Sequence, residues 1–318
     1  MKYVEIDLGP EETDPNAEMM KTFARMPAFL IKILFRMNLK KIRSGMGGES
    51  RDITRRTVRW EDRTIGGYAD DLRIRVYTPD GDATRPLMMF HHGGGWFGGS
   101  IDAVEDFCKG VADQADCVVI SVDYHLAPEH KFPTGIEDSY KALQWAIGHA
   151  DELRIDPGRV TVGGDSAGGN IAAVLTAMAN DRRDVSIGRQ VLIYPAIDNT
   201  FGGIRKSFPG AASPFEAVMK LYLGDKRLSD HPYVSPNMYA DLPSLPEALI
   251  AVGELDGLRV TSLAYAEALD DSGVGVEFIV YKNANHAFID DTGNNDNADH
   301  LATEIARFVN QRPTRTEQ

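Results

Sequence analysis

Hydrophobic positions along this chain follow two periods. Short apolar runs rich in β-branched residues alternate with longer stretches in which apolar residues recur every three or four positions. The runs are typical of buried strands and the stretches of amphipathic helices. The runs predict strands over 53–60, 72–77, 86–91, 117–123, 160–163, 190–194, 248–253 and 276–281. The longer stretches predict helices over 104–115, 135–149, 170–180, 261–271 and 298–310. Because apolar strands alternate with helices, we expect a mostly parallel, doubly wound sheet with helices on both faces.

Two segments depart from this alternation. Residues 12–45 have an apolar stripe opposed by a basic side, which predicts an amphipathic helix. We favour packing over the main body, with attachment to a lipid surface as the alternative. Residues 195–246 delay the next strand and hold one helical stretch over 213–223. Long insertions of this kind commonly form lids or binding elements. We therefore predict N-terminal cap helices over 1–50 and a core over 51–318 whose cap insertion spans about 195–246.

Composition and charge exclude several classes of protein. The 318-residue chain has a formal charge of -13 and a pI near 5.1, which argues against a nucleic-acid partner. Its two cysteines, Cys108 and Cys117, form no metal-binding pattern and are interpreted as buried thiols.

The N-terminal region gives no targeting signal. The first residues lack the basic-then-apolar order of a signal peptide, and the apolar run 26–39 is interrupted by Pro27 and Lys32. The sequence therefore predicts a cytoplasmic protein without membrane contact, and it leaves a homodimer open.

The chemistry centres on a glycine-flanked serine. Gly164-Asp165-Ser166-Ala167-Gly168 fits G-x-S-x-G between a predicted strand and a predicted helix. Glycines two residues either side permit a sharp turn that presents the serine Oγ and places the next amide at a helix start. A nucleotide-binding turn is the alternative. Neither glycine cluster of the chain fits the phosphate-loop or dinucleotide patterns.

A serine nucleophile needs a base and a group that holds the base. In doubly wound hydrolases these follow in the order serine, acid, histidine, each after a strand. Asp256 follows the strand over 248–253, and His286 follows the last predicted strand. Glu254 is the rival acid. Asp165, beside the nucleophile, is interpreted as structural.

Acyl transfer also needs amide donors for the developing oxyanion. Ala167 directly follows the nucleophile. The glycine-rich loop His92-Gly93-Gly94-Gly95 follows the strand over 86–91, where the remaining donors are expected.

Together these motifs resemble the hormone-sensitive-lipase-like branch of the α/β-hydrolases. The resemblance covers roughly residues 70–310 and rests on 92–95, 124–133, 164–170, 235–236, 253–259 and 286–288. It implies the α/β-hydrolase fold with a helical cap, and a carboxylesterase acting on short or medium acyl esters. By the resemblance, the triad is Ser166, Asp256 and His286, and the oxyanion hole is Gly93, Gly94 and Ala167. A small-molecule ester is the expected partner, and no cofactor or metal is implied.

Three positions depart from the family pattern. Gly257 stands where the family usually has proline, Val260 where it usually has an acidic residue, and His125 where arginine is common. None removes a catalytic group.

The sequence leaves the substrate and some reaction classes open. A non-catalytic small-molecule receptor, an amidase or an acyltransferase could use the same fold, and an interfacial lipase is disfavoured because no long apolar lid is present. Six aromatic residues could line an acyl pocket or pack the cap: Phe97, Phe201, Phe208, Phe215, Tyr222 and Tyr233.

Overall fold

A computed structural model of the protein describes residues 1–9 and 22–311, whose strands form one nine-stranded sheet. The strands are β1 (Lys2–Ile6), β2 (Val58–Gly66), β3 (Asp71–Pro79), β4 (Arg85–His91), β5 (Val118–Val122), β6 (Ile155–Asp165), β7 (Arg189–Ile193), β8 (Glu247–Gly253) and β9 (Val276–Tyr281). Their order across the sheet is β1-β9-β8-β7-β6-β4-β5-β3-β2.

Helices cover both faces and one end of this sheet. They are α1 (Ala28–Met37), α2 (Leu39–Ser44), α3 (Glu105–Ala115), α4 (Thr134–Gly148), α5 (Ala150–Leu153), α6 (Ala167–Arg182), α7 (Phe201–Ser207), α8 (Ser213–Tyr222), α9 (Arg259–Asp271) and α10 (Asp296–Asn310). Short 3₁₀ turns lie at Lys226–Asp230, Pro236–Met238, Leu242–Ser244 and Phe288–Asp291.

The pairing of the strands confirms the predicted mostly parallel sheet. Strands β4 to β9 pair in parallel, and β3 is antiparallel to both β2 and β5. Every residue of β4, β5 and β7 is buried, which is why these strands are continuous apolar runs in the sequence. Parallel strands bring their carboxyl ends to one edge, so the loops after β4, β6, β8 and β9 meet there.

The first residues of the chain form a sheet strand that the sequence did not predict. Strand β1 pairs in parallel with β9, with Lys2 opposite Glu277 and Ile6 opposite Tyr281. The prediction placed these residues among the cap helices, and for Lys2–Ile6 that prediction is wrong. The strand is short, lies at the edge and is largely exposed, so it carries little apolar signal.

Several element boundaries also differ from the prediction. Strand β2 begins at Val58 rather than at 53, because Ile53 instead packs against α3. A Cβ built on Gly110 of α3 would lie 2.5 Å from Ile53 Cδ1. Helix α6 begins at Ala167, immediately after Ser166, rather than at 170. Its first turn contains two glycines, which weaken the helical pattern in the sequence.

The predicted helix over 12–45 is divided in the part of it that the structure describes. Helices α1 and α2 are separated at Asn38, and residues 10–21 lie outside the described residues. Helix α1 packs on α8 through Ala28, Ile31 and Ala217, and its Phe35 ring stacks on Phe97 at 5.6 Å. These contacts support packing over the main body. None of the helices in the described part of the chain combines the length and apolar character that a bilayer span requires.

Candidate active site

Ser166 lies on a strained turn between β6 and α6. Its φ of 54° and ψ of -114° are unusual for a residue with a side chain. A Cβ on Gly164 would lie 2.4 Å from the His91 carbonyl oxygen, and one on Gly168 would lie 1.9 Å from it. Because no side chain fits at either position, both glycines are needed for the turn. The Ser166 amide donates to the Ile193 carbonyl at 2.9 Å, which fixes the turn to β7.

The predicted base and acid lie beside this serine. The Ser166 Oγ is 2.9 Å from His286 Nε2, and His286 Nδ1 is 2.7 Å from an Asp256 carboxylate oxygen. Asp256 follows β8, and His286 follows β9. Three residues separated by up to 120 positions therefore form one continuous hydrogen-bonded chain, with the distances that a serine, histidine and aspartate triad requires.

The groups around His286 set the protonation of its imidazole ring. The Asp256 side chain is almost fully buried, and its second oxygen accepts the Leu258 amide at 2.8 Å. Burial lowers the pKa of His286, but the carboxyl groups of Asp256, Asp165 and Asp290 raise it, and the net pKa lies above 6.5. The carboxylate thus favours the imidazolium that forms when the ring takes a proton.

Glu254, the rival acid, has other partners. Its carboxylate accepts from Lys282 Nζ at 2.8 Å and from the Asn283 amide at 3.1 Å. The Lys282 hydrogen bond lowers the pKa of Glu254. These contacts tie the loop after β8 to the loop after β9, while Asp256 contacts the histidine.

The glycine loop after β4 differs from the prediction at one position. The Gly93 amide donates to the Asp165 carboxyl at 2.8 Å, so it is not free for an oxyanion, and its predicted place in the oxyanion hole is wrong. Gly94 and Gly95 have φ values of 108° and 61°, and both line the same cleft as Ser166. The amide of Ala167, in the first turn of α6, has no intrahelical partner. Gly95 is therefore a candidate donor that the sequence interpretation passed over, although it belongs to the same glycine run.

Asp165 has the structural role that the sequence suggested. A Cβ on Gly93 would lie 2.2 Å from its carboxyl, so the two loops are in direct contact. Burial raises the pKa of the Asp165 carboxyl well above its usual range, and the nearby Asp290 carboxyl raises it further. The Tyr124 hydroxyl donates to the His92 carbonyl at 2.8 Å and holds the other side of the glycine loop.

Ser166, Asp256 and His286 line a cleft of about 1640 Å³ between the sheet edge and helices α1, α2, α7 and α8. Phe97, Phe208 and Phe215 are among its lining residues, and the last two rings stack at 3.6 Å. Tyr222 is instead buried against Trp96, with ring centroids 4.6 Å apart. Tyr233 hydrogen-bonds to Asp181, away from the cleft. Three of the six aromatic residues thus line the cleft, and Phe201 lines a neighbouring surface pocket.

The departure at Gly257 has a steric explanation. A Cβ there would lie 2.5 Å from the Phe208 ring and 2.7 Å from the Ser207 carbonyl oxygen. A proline would therefore collide with α7 as it is placed in this protein. Val260 is exposed in the first turn of α9.

Comparisons with known proteins agree with this geometry. The sequence profile of a family described as the alpha/beta hydrolase fold matches residues 88–290. Among curated proteins, carboxylic ester hydrolase LipN of Mycobacterium tuberculosis is 38% identical over 239 residues, which is 72% of this chain and 64% of LipN. An arylesterase of Saccharolobus solfataricus is 35% identical over 249 residues, covering 76% of this chain and 78% of that protein.

A solved structure extends the similarity to nearly the whole chain. The esterase of the archaeon Pyrobaculum calidifontis superposes with a TM-score of 0.75 and is 32% identical, covering 93% of this chain and 97% of that one. The similarity therefore includes the fold as well as the motif sequence.

Proposed function

Because the chain belongs to the hormone-sensitive-lipase-like branch of the α/β-hydrolases, a group of carboxylic ester hydrolases, we propose that it hydrolyses short- to medium-chain acyl esters through Ser166, His286 and Asp256. The observation that carries this proposal is the unbroken chain of hydrogen bonds from Ser166 Oγ through His286 to Asp256, of 2.9 and 2.7 Å.

In the first half of the reaction, His286 Nε2 takes the Ser166 proton while Oγ attacks the ester carbonyl carbon. The carbonyl π electrons move to oxygen, and we expect the amides of Gly94, Gly95 and Ala167 to donate to that oxyanion. Asp256 stabilises the imidazolium. His286 then gives its proton to the leaving alcohol, and the acyl group stays on Ser166.

Water completes the cycle. His286 removes a proton from a water molecule, whose oxygen attacks the acyl carbon. Collapse of the second oxyanion releases the carboxylic acid and returns the proton to Ser166. This scheme uses the chain's own residues throughout.

The lining of the cleft supports the proposed acyl group. The stacked Phe208 and Phe215 rings form an apolar wall, and Phe97 and Phe35, whose rings also stack, are further lining residues. A cleft with aromatic walls accepts a flexible alkyl chain of limited length.

A burst experiment tests the assignment. With a short activated nitrophenyl ester, the wild-type protein should release one equivalent of nitrophenol per chain before steady turnover. Ser166→Ala should lose the burst and about 10⁶-fold in kcat. Ser244→Ala, outside the cleft, is the matched control and should keep both.

The other interpretations predict distinct outcomes. A receptor would bind the ester and show no burst in the wild-type protein. An amidase or acyltransferase would show the burst but prefer an amide, or an acceptor other than water. Cytoplasmic location, a homodimer and the division into cap and core stay predictions of the sequence.

A further inference from the structure

A second cluster of polar side chains lies outside the catalytic cleft. Asp70, His125 and His130 bring one ligand atom each to within 4.8 Å of one another. Asp70 is in the turn between β2 and β3, while both histidines are in the segment after β5. The two imidazole rings are 4.5 Å apart. Two imidazoles and a carboxylate are a donor set that suits zinc and related transition metals.

The orientation of His125 is fixed by a buried carboxylate. His125 Nδ1 is 2.8 Å from an oxygen of Asp138, whose side chain is completely buried. The backbone amides of Tyr68 and His125 donate to the same carboxyl group, at 2.7 and 3.1 Å. The tautomer protonated on Nδ1 is therefore favoured, and Nε2 is left with its lone pair. Metal-binding histidines commonly have this arrangement, in which the second nitrogen donates to a carboxylate.

The distances require a small adjustment. Zinc–ligand bonds are about 2.0–2.2 Å long, so two atoms bound to the same ion lie at most about 4.4 Å apart. Asp70 is exposed on a turn closed by the Gly67 amide and its own carbonyl, so its side chain can rotate toward the histidines.

We propose that Asp70, His125 and His130 form a binding site for a divalent transition-metal ion, with Zn²⁺ as the ion that the ligands suit, and with Asp138 as the residue that positions His125. The site lies apart from the triad. It is nevertheless connected to the glycine loop, since Ala127, between the two histidines, donates its amide to the Trp96 carbonyl at 2.8 Å.

Calorimetric titration tests the site. The full chain, stripped with EDTA and desalted, is titrated with ZnCl₂. We expect one ion per chain. The dissociation constant should rise by more than about 100-fold in His130→Gln and in Asp70→Asn, because loss of a residue that only positions a ligand already costs about 10- to 100-fold. His149→Gln is the matched control, because this partly exposed histidine contacts only its own helix and Trp145 in the hydrogen bonds and ring contacts described. It should bind as the wild type does.

Cobalt provides a second readout. Co²⁺ bound to the three ligands should give visible absorption bands that His130→Gln abolishes, while circular dichroism shows an unchanged fold. Equal Zn²⁺ affinity of the wild type and His130→Gln would overturn the proposal. So would loss of binding in His286→Gln with retention in His130→Gln, because the ion would then be at the triad. Absence of binding to the wild type at millimolar Zn²⁺ would also overturn it.

Discussion

The catalytic edge of the sheet and the helices above it are built in different ways. At the edge, buried polar side chains fix each loop: Asp165 holds the glycine loop, and Asp256 holds the histidine. Above it, α1 contacts α8 through apolar residues and leaves Phe29 and Met37 62% and 77% exposed. Arg43 of α2 adds polar contacts, donating to the Phe97 and Ala127 carbonyls.

Because of this difference, we expect the rate of the chemical step and the preference for an ester to depend on different regions. Directed hydrogen bonds hold the reacting atoms in place, so substitutions at the edge should change the rate of the chemical step. Apolar packing in the helices shapes the cleft, so substitutions there should change which ester is preferred and how stable the helices are.

Asp256→Asn should cause the largest loss. The amide cannot stabilise the imidazolium and favours the wrong tautomer of His286, so kcat should fall by about 10⁴-fold. Steady-state kinetics on a short ester measure the change. Glu254→Gln is the matched control, two residues away, and we expect it to keep kcat within a few-fold. A greater loss in Glu254→Gln than in Asp256→Asn would reverse the assignment of the acid.

Phe208→Ala should change the chain-length preference. Removing the ring opens the wall beside Gly257, so the ratio of kcat/KM for an octanoyl over a butanoyl ester should rise about tenfold. Phe201→Ala, at the first residue of α7, should leave the ratio unchanged. An equal effect of both variants would show that α7 as a whole, and not the Phe208 ring, limits the acyl chain.

The pH profile reports the charges around His286. The ring must be neutral to take the serine proton, and its pKa is raised above 6.5. The acid limb of kcat/KM should therefore have its midpoint above pH 6.5, with activity lost as the pH falls and the ring is protonated. Asp290→Asn removes a carboxyl that raises this pKa, so the midpoint should move to lower pH. Asp271→Asn, exposed at the end of α9, should leave it in place.

Two phenylalanines on α1 should differ in their effect on stability. Phe35 is half-buried and stacks on Phe97, so Phe35→Ala should lower the free energy of unfolding by about 2 kcal/mol, less than a fully buried ring would cost. Phe29 is mostly exposed, and Phe29→Ala should change it by less than about 0.5 kcal/mol. Urea denaturation of the two variants makes the comparison. An equal loss of unfolding free energy in the two variants would mean that the Phe29 side chain is also buried in a contact.

The sequence predicted most of the core because burial leaves a strong pattern there. Fully buried parallel strands are apolar runs, and the motif residues follow them directly. The role of Gly93 was not predictable, because its amide partner, Asp165, is 72 residues away. Helix α7 was missed because its seven residues include two glycines and carry too weak a helical pattern. The cluster of Asp70 with His125 and His130 was missed because the turn that holds Asp70 is far along the chain from the two histidines.

The pairing of β1 with β9 has a consequence for the order of folding. Lys2 and its ion-pair partner Glu277 are 275 residues apart. Contacts over such separations form slowly, because a long loop must close before any of them forms. During synthesis, residues 2–6 leave the ribosome long before residues 276–281, the strand beside which they lie. Strand β9, which precedes His286, therefore gains its outer neighbour late in folding. The Lys282 amide, which donates to the Ile6 carbonyl at 2.7 Å, lacks this partner until then.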